Sequence, residues 1–318
     1  MIPVSVVTGF LGCGKTTLIG RLLPDPRLSD TAVIVNEFGE VALDHALIAS
    51  STESFIQLTT GCLCCAVRTD LVRTLLELEG RREAGEIAFA RVLVETSGLA
   101  DPAPILAALM SDAALAGRFA IGAVATLVDA ELGEATLDRH PEARRQVAMA
   151  DRILLTKTDR AAPSAALRAR LAALNPAATP VQGPVDAGWL LAPAGRLPQE
   201  FPPVALHTAG INSASIRRTE PVPALALTLL IQALAEHCGA RLLRLKGLVD
   251  LAEAPGRPAV IHGVQHVFSA PEFLPAWPDE DRTTRIVLIG EALPPHFAAR
   301  LLDAIIAEVQ DETARQEP

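Results

Sequence analysis

The first twenty-three residues constrain this chain more than any other stretch. A β-branched run, Pro3 to Thr8, opens into Gly9-Phe-Leu-Gly-Cys-Gly-Lys-Thr16-Thr17 and continues as a helical pattern from Thr17 to Leu23. Glycine reaches positive φ without a Cβ penalty, so Gly9, Gly12 and Gly14 let successive backbone N–H groups turn inward around an anion. A helix that starts directly after the loop adds the positive end of its dipole. The spacing G-x-x-x-x-G-K-[ST] between a strand and a helix is that of a phosphate-binding loop. It assigns Lys15 to the β and γ phosphates and Thr16 to Mg²⁺, with Gly9, Gly12, Cys13, Gly14 and Thr17 around the phosphates. Cys13 takes no part through its thiol, since any small residue would fit there.

Such a loop belongs on a parallel sheet, and the rest of the chain supplies one. Up to about Leu191, short β-branched runs alternate with longer helical ones, the pattern of strands covered by helices on both faces. Strands are expected at Pro3 to Thr8, Ala32 to Asn36, Ser54 to Leu58, Ala90 to Glu95, Ala120 to Val128, Arg152 to Leu155 and near Val181. Half the residues are hydrophobic, yet only 3% are aromatic and tyrosine is absent, so Ala, Leu, Val and Ile must build the core. The expected fold is therefore α/β: a P-loop NTPase domain over residues 1–191, a Pro-rich linker over 192–205, and a small α+β domain over 206–318. In the second domain the pattern gives a strand from Asn212 to Arg218, a helix from Val222 to His237, strands over Arg241 to Leu251, Pro258 to Ser269 and Arg285 to Gly290, and a helix from Pro295 to Gln310. Cys238-Gly239 reads as a helix end, and Asp311 to Pro318 as a frayed tail.

Two further segments complete a nucleotide site. The run Arg91-Val-Leu-Val-Glu95 ends in Glu95-Thr-Ser-Gly98, where a carboxylate at a strand edge reaches Mg²⁺ and the Gly98 N–H meets a γ oxygen. The run Arg152-Ile-Leu-Leu-Thr-Lys-Thr-Asp159 places Lys-x-Asp after a buried strand. The Asp159 carboxylate accepts from N1–H and the exocyclic amino group of guanine, while the Lys157 stem packs on the ring. Adenine would leave that charge unpaired, so GTP is favoured over ATP. Thr156 stands where GTPases usually carry Asn, and forgoes the amide that ties neighbouring loops together.

Three of the five cysteines fall in Thr60-Gly61-Cys62-Leu-Cys64-Cys65. Thiolates select soft ions over Mg²⁺, and three of them leave one position of a tetrahedral shell open. Glu40 is a candidate further ligand. Glu37, in the same Asn36 to Glu40 segment, is a candidate for ordering Mg²⁺ or the attacking water. His262 and His266, four apart on one expected strand, would share a face. The net charge of −9 argues against nucleic-acid phosphates and anionic membranes as partners. The opening MIPVSVVTGF has no basic export signal, which points to the cytoplasm. Only three of 28 basic residues are lysine, and two of these, Lys15 and Lys157, are already placed.

With these residues in place the chain resembles the CobW-type family of P-loop GTPases, relatives of the nickel-insertion GTPases for urease and hydrogenase. The likeness rests on Gly9 to Thr17, Asn36-Glu-Phe-Gly-Glu-Val41, Gly61 to Cys65, Glu95-Thr-Ser-Gly-Leu-Ala-Asp-Pro102, Thr156 to Asp159, Leu243-Arg-Leu-Lys-Gly247 and Pro275-Ala-Trp-Pro278. The resemblance implies a GTPase domain with a CobW C-terminal domain, slow intrinsic GTP hydrolysis with Mg²⁺, and Zn²⁺ or Co²⁺ handling at the Cys-x-Cys-Cys motif. The open position left by the three thiols suits a metal that is delivered to a client metalloprotein, with a nucleotide-dependent homodimer as a further expectation. A scaffold with a structural zinc that is never transferred is the alternative. His207 is the one histidine near the linker, against the His-rich stretch of many members, so metal storage is not expected.

Overall fold

The computed structural model describes residues 1–35, 55–57, 65–192, 210–294 and 296–316. The chain divides into two compact units, one of residues 1–171 with 178–195 and the other of 172–177 with 196–318. Among the described residues no helix is long and apolar enough to cross a membrane.

Among the described residues the first unit is built on seven parallel strands: β1 (Ile2–Gly9), β2 (Thr31–Val35), β3 (Phe55–Gln57), β4 (Arg91–Glu95), β5 (Phe119–Asp129), β6 (Arg152–Thr156) and β7 (Pro180–Gln182). Their spatial order is β3-β2-β4-β1-β5-β6-β7. The mostly parallel α/β fold expected from the alternating pattern is thus present. The central strands read as continuous apolar runs because both faces are covered: Val4, Val6 and Val7 of β1 and Ala32 and Ile34 of β2 are fully buried. The helices are α1 (Lys15–Leu22), α2 (Cys65–Glu83), α3 (Ala103–Ser111), α4 (Gly133–Arg139), α5 (Pro141–Met149), α6 (Ala165–Leu174) and α7 (Ala187–Leu191). Their starts are written locally. Pro141 sits in the first turn of α5, where its missing N–H costs nothing. Ser164 Oγ accepts from Leu167 N at the start of α6, and Asp186 Oδ1 accepts from Trp189 N at the start of α7.

Parallel register decides what meets at the C-terminal edge of this sheet. Glu95 lies level with Val7 of β1 and with Val35 of β2. Gly9 is level with Leu127 of β5, and Asp129 of β5 is level with Thr156 of β6. Every expected nucleotide residue within the described chain therefore comes to one edge.

The second unit is an antiparallel sheet of β8 (Ile211–Arg218), β9 (Leu242–Val249), β10 (Ala259–Val264), β11 (Val267–Phe268), β12 (Glu272–Phe273) and β13 (Thr284–Glu291), in the order β11-β10-β9-β13-β8 with β12 also on β10. Helices α8 (Ala224–Cys238) and α9 (Phe297–Gln316) bury Leu227, Leu230, Leu234, Leu302 and Ile306 with Leu245, Ile261 and Leu288 of the sheet. The two carboxylate oxygens of Glu253 accept from Ala224 N at 3.0 and 2.9 Å and cap α8 at its start. Gly239, at φ 51°, ends it.

Three expectations for this unit need correction. Pro258 to Ser269 is a hairpin rather than one strand, because Gln265 takes a left-handed φ of 55° and reverses the chain between β10 and β11. His262 therefore stands on β10 opposite Lys246, while His266 lies in the turn, and the two do not share a strand face. The final helix runs to Gln316 where a frayed tail from Asp311 was expected, since no Gly or Pro interrupts it before Pro318.

Candidate nucleotide site

Between β1 and α1 the chain makes the loop that its glycines anticipate. Gly9, Gly12 and Gly14 have φ of 140°, 71° and 97°. At Gly9 a Cβ would stand 2.4 Å from Leu127 O, so close approach to β5 demands glycine there as well. Gly14 is the residue before α1, and the first-turn N–H groups of Lys15, Thr16 and Thr17 lie at the helix's positive end. Lys15 is 8% exposed and its Nζ donates to Gly9 O at 3.0 Å, which holds the ammonium within the loop it is expected to serve. Cys13 is buried in the core beneath the loop with Leu18, Ile19 and Leu127. Burial pushes its thiol pKa up, and the neighbouring Lys15 charge only partly opposes this.

Beside the loop, Thr16 Oγ1 donates to Glu95 Oε1 at 2.7 Å. Glu95 is 4% exposed, a carboxylate at the end of a central strand in contact with a hydroxyl at the start of α1. These are hard oxygen donors of the kind Mg²⁺ takes together with substrate phosphates, so the residues present fit that ion. Thr96 Oγ1 donates to Thr8 Oγ1 at 2.7 Å and ties the start of the loop after Glu95 to β1. Gly98 then approaches the phosphate loop so closely that a Cβ would fall 2.6 Å from Leu11 N.

At the other end of the site, Lys157 follows β6 with φ 54°. Its Nζ donates to Asp129 Oδ2 at 2.6 Å. Asp129 Oδ1 accepts from Glu131 N and Leu132 N at 2.8 and 3.1 Å. Burial works to raise the Asp129 carboxyl, but the Lys157 ammonium and these two N–H groups outweigh it and hold the pKa below the usual value. Asp129 went unremarked in the sequence; its signal is a lone carboxylate at the end of an apolar strand. Asp159, in the turn two residues beyond Lys157, is exposed. Thr156, which lacks the usual amide, makes a tie of its own: its hydroxyl donates to Cys13 O at 2.8 Å and joins β6 to the phosphate loop.

Glu37, Glu40, Cys62 and Cys64 lie outside the described residues. Cys65 is described only as the backbone position that opens α2.

A glycine-rich loop on the central strand of a parallel sheet, running into a helix and flanked by a Thr–Glu pair, defines a P-loop nucleotide-binding protein. Comparison with known proteins narrows that class. Residues 3–182 match the family "CobW/HypB/UreG, nucleotide-binding domain", and residues 211–306 match "Cobalamin synthesis protein cobW C-terminal domain". The chain is 36% identical over 304 residues to the zinc chaperone YjiA of Escherichia coli, covering 92% of this chain and 95% of that protein. It is 31% identical over 367 residues to the zinc chaperone CobW of Pseudomonas aeruginosa, covering 96% and 92%. The crystal structure of Zn(II)-bound YjiA GTPase from E. coli superposes with a TM-score of 0.72 at 29% identity, covering 96% of this chain and 98% of that one. The chain belongs to the CobW/HypB/UreG family.

Proposed function

We propose that this protein is a cytoplasmic, Mg²⁺-dependent GTPase that binds a thiophilic metal, zinc in the first instance and cobalt as the alternative, and delivers it to a client metalloprotein. The observation that carries the nucleotide half is the Thr16–Glu95 hydrogen bond beside the phosphate loop. Thr16 and Glu95 would hold Mg²⁺, which when bound neutralises charge on the phosphoryl oxygens. Lys15 lies in the loop where the β and γ phosphates would be bound, and the N–H groups of Gly12, Gly14, Lys15 and Thr16 would orient them, that of Cys13 being taken by Phe10 O. Gly98 brings its N–H to the γ phosphate. Asp159 reads guanine through two donors on one edge of the base, and Lys157, steadied by Asp129, offers its stem to the ring face.

The metal half is supported by the sequence Cys62-Leu-Cys64-Cys65 and by the names of the relatives, both zinc chaperones. Three thiolates with an open position suit an ion that is handed on, and Glu40 is the candidate further ligand. Glu37 is proposed to order Mg²⁺ or the attacking water. GTP binding would order residues 36–44 and the cysteine segment into one metal-binding state, and hydrolysis would relax it. The net charge of −9 makes proteins, including a second copy of this chain, better partners than nucleic acid. The direct test is zinc affinity measured with a non-hydrolysable GTP analogue and with GDP, each with Mg²⁺. An affinity at least about 10-fold higher with the analogue, or about 1.4 kcal/mol of coupling, is expected; equal affinities would end the coupling. Cys64→Ala separates delivery from a structural zinc: retained fold and GTPase with lost metal binding supports delivery, and loss of folding supports a scaffold.

A further inference from the structure

The segment that follows Glu95 is held by α5 as well as by the phosphate loop. Gln146, fully buried on α5, donates through Nε2 to Gly98 O at 3.1 Å and to Ala100 O at 3.0 Å, which commits both hydrogens of its amide. Its main-chain O accepts from Thr126 Oγ1 at 2.9 Å, which ties the α5 backbone that carries this side chain to β5. Arg145, the preceding residue, reaches Asp101 Oδ2 at 3.2 Å. Asp101 Oδ1 in turn accepts from Ala103 N at 2.9 Å, at the start of α3. Residues 98–101 are thus clasped at three points from one helix, while Gly98 abuts Leu11 of the phosphate loop.

Packing does not account for a glutamine here. Burying a carboxamide costs about 1–3 kcal/mol for each atom left unpaired. Gln146 Oε1 has no hydrogen-bond donor among the described residues, and the residue borders a cavity of about 200 Å³ lined also by Cys13, Val128 and Ala143. Leucine or methionine would occupy the same space without that penalty. What they lack is a nitrogen with two hydrogens for two converging carbonyls.

We propose that Gln146 is a positioning residue for hydrolysis: by holding Gly98 O and Ala100 O it fixes the backbone so that the Gly98 N–H faces the γ phosphate, with Arg145 as a second hold on the same segment. This rests on the reading of Gly98 given above. GDP has no γ phosphoryl group, so the clasp matters for GTP and is silent for GDP. That difference separates positioning from general support of the fold, which would weaken both nucleotides together.

The test uses the full chain with Gln146→Glu, which keeps the shape but turns an acceptor toward two carbonyls, and with Gln146→Leu. Binding of GDP and of a non-hydrolysable GTP analogue, and single-turnover GTP hydrolysis, are measured with Mg²⁺ at a temperature where circular dichroism shows the variant folded. The expected result is hydrolysis slower by at least about 10-fold and analogue affinity reduced by a similar factor, with GDP affinity within about 2-fold of wild type. Arg145→Ala, whose parent side chain is 39% exposed, should show the same discrimination at about 3-fold. Parallel loss of GDP and analogue affinity, or unchanged hydrolysis in folded variants, overturns the inference. Should neither Gln146 variant fold, an unchanged analogue-to-GDP ratio in Arg145→Ala overturns it. A wild-type protein that hydrolyses no GTP would instead remove the reading of the site on which this stands.

Discussion

Asp129 shows how much of a site can rest on one carboxylate that no motif announces. Its Oδ1 caps the turn after β5 and its Oδ2 takes the Lys157 ammonium. Asparagine keeps an acceptor for the two N–H groups but loses the charge that steadies Lys157. Asp129→Asn is therefore expected to cost about 1 kcal/mol of stability at pH 7, a figure that allows for partial exposure of the Lys157 side chain. Because the folded carboxyl pKa is lowered, its contribution is present above the unfolded value, near 3.9, and is lost as pH falls through the folded value. Urea unfolding of wild type and variant should thus differ at pH 7 and converge as the acid limit is approached. A constant difference across that range would show that the ion pair is not its source. Thr156 carries a related lesson, for a hydroxyl in the usual place of an amide still ties β6 to Cys13 O.

The β4 to α3 connection is an element whose shape is set by what it touches. Thr96 is tied to Thr8 and Gly98 meets the backbone of Leu11. A Cβ at Gly98 would lie 2.6 Å from Leu11 N and 2.7 Å from Leu11 Cα, and backbone atoms have no rotamer by which to yield. Gly98→Ala should displace the phosphate loop or the connection, costing about 1–3 kcal/mol and weakening GTP binding by at least about 10-fold. Thermal melts with nucleotide titration check this, and wild-type GTP affinity in the variant would show that the loop moves freely. Strand positions were legible because parallel strands buried on both faces are continuous apolar runs bounded by glycine, proline and charge. The β10–β11 hairpin was not, because its turn is Gln265-His266 with neither glycine nor asparagine, and only the left-handed φ at Gln265 reveals it.

At the scale of the molecule, each compact unit holds one of the two tryptophans, Trp189 in the first and Trp277 in the second. In Trp277→Phe the remaining fluorescence reports the nucleotide-binding unit alone. GDP with Mg²⁺ at 100 times its dissociation constant should stabilise that signal by about 2.7 kcal/mol. The same nucleotide without Mg²⁺ should give less, and no shift in either case would deny the site. What the amino-acid sequence determined by itself was local: a phosphate loop between a strand and a helix, Lys-x-Asp after a buried strand, three clustered thiols, and an α/β alternation that demands a parallel sheet. Each of these is written in contiguous residues, where spacing and chemistry suffice. What only the tertiary structure decided was which distant groups meet: Thr16 with Glu95, Lys157 with Asp129, Thr156 with Cys13, and Gln146 with Gly98 and Ala100. Those pairs are 28 to 143 residues apart in the chain, and strand register and helix packing, rather than spacing, bring them to one edge of the sheet.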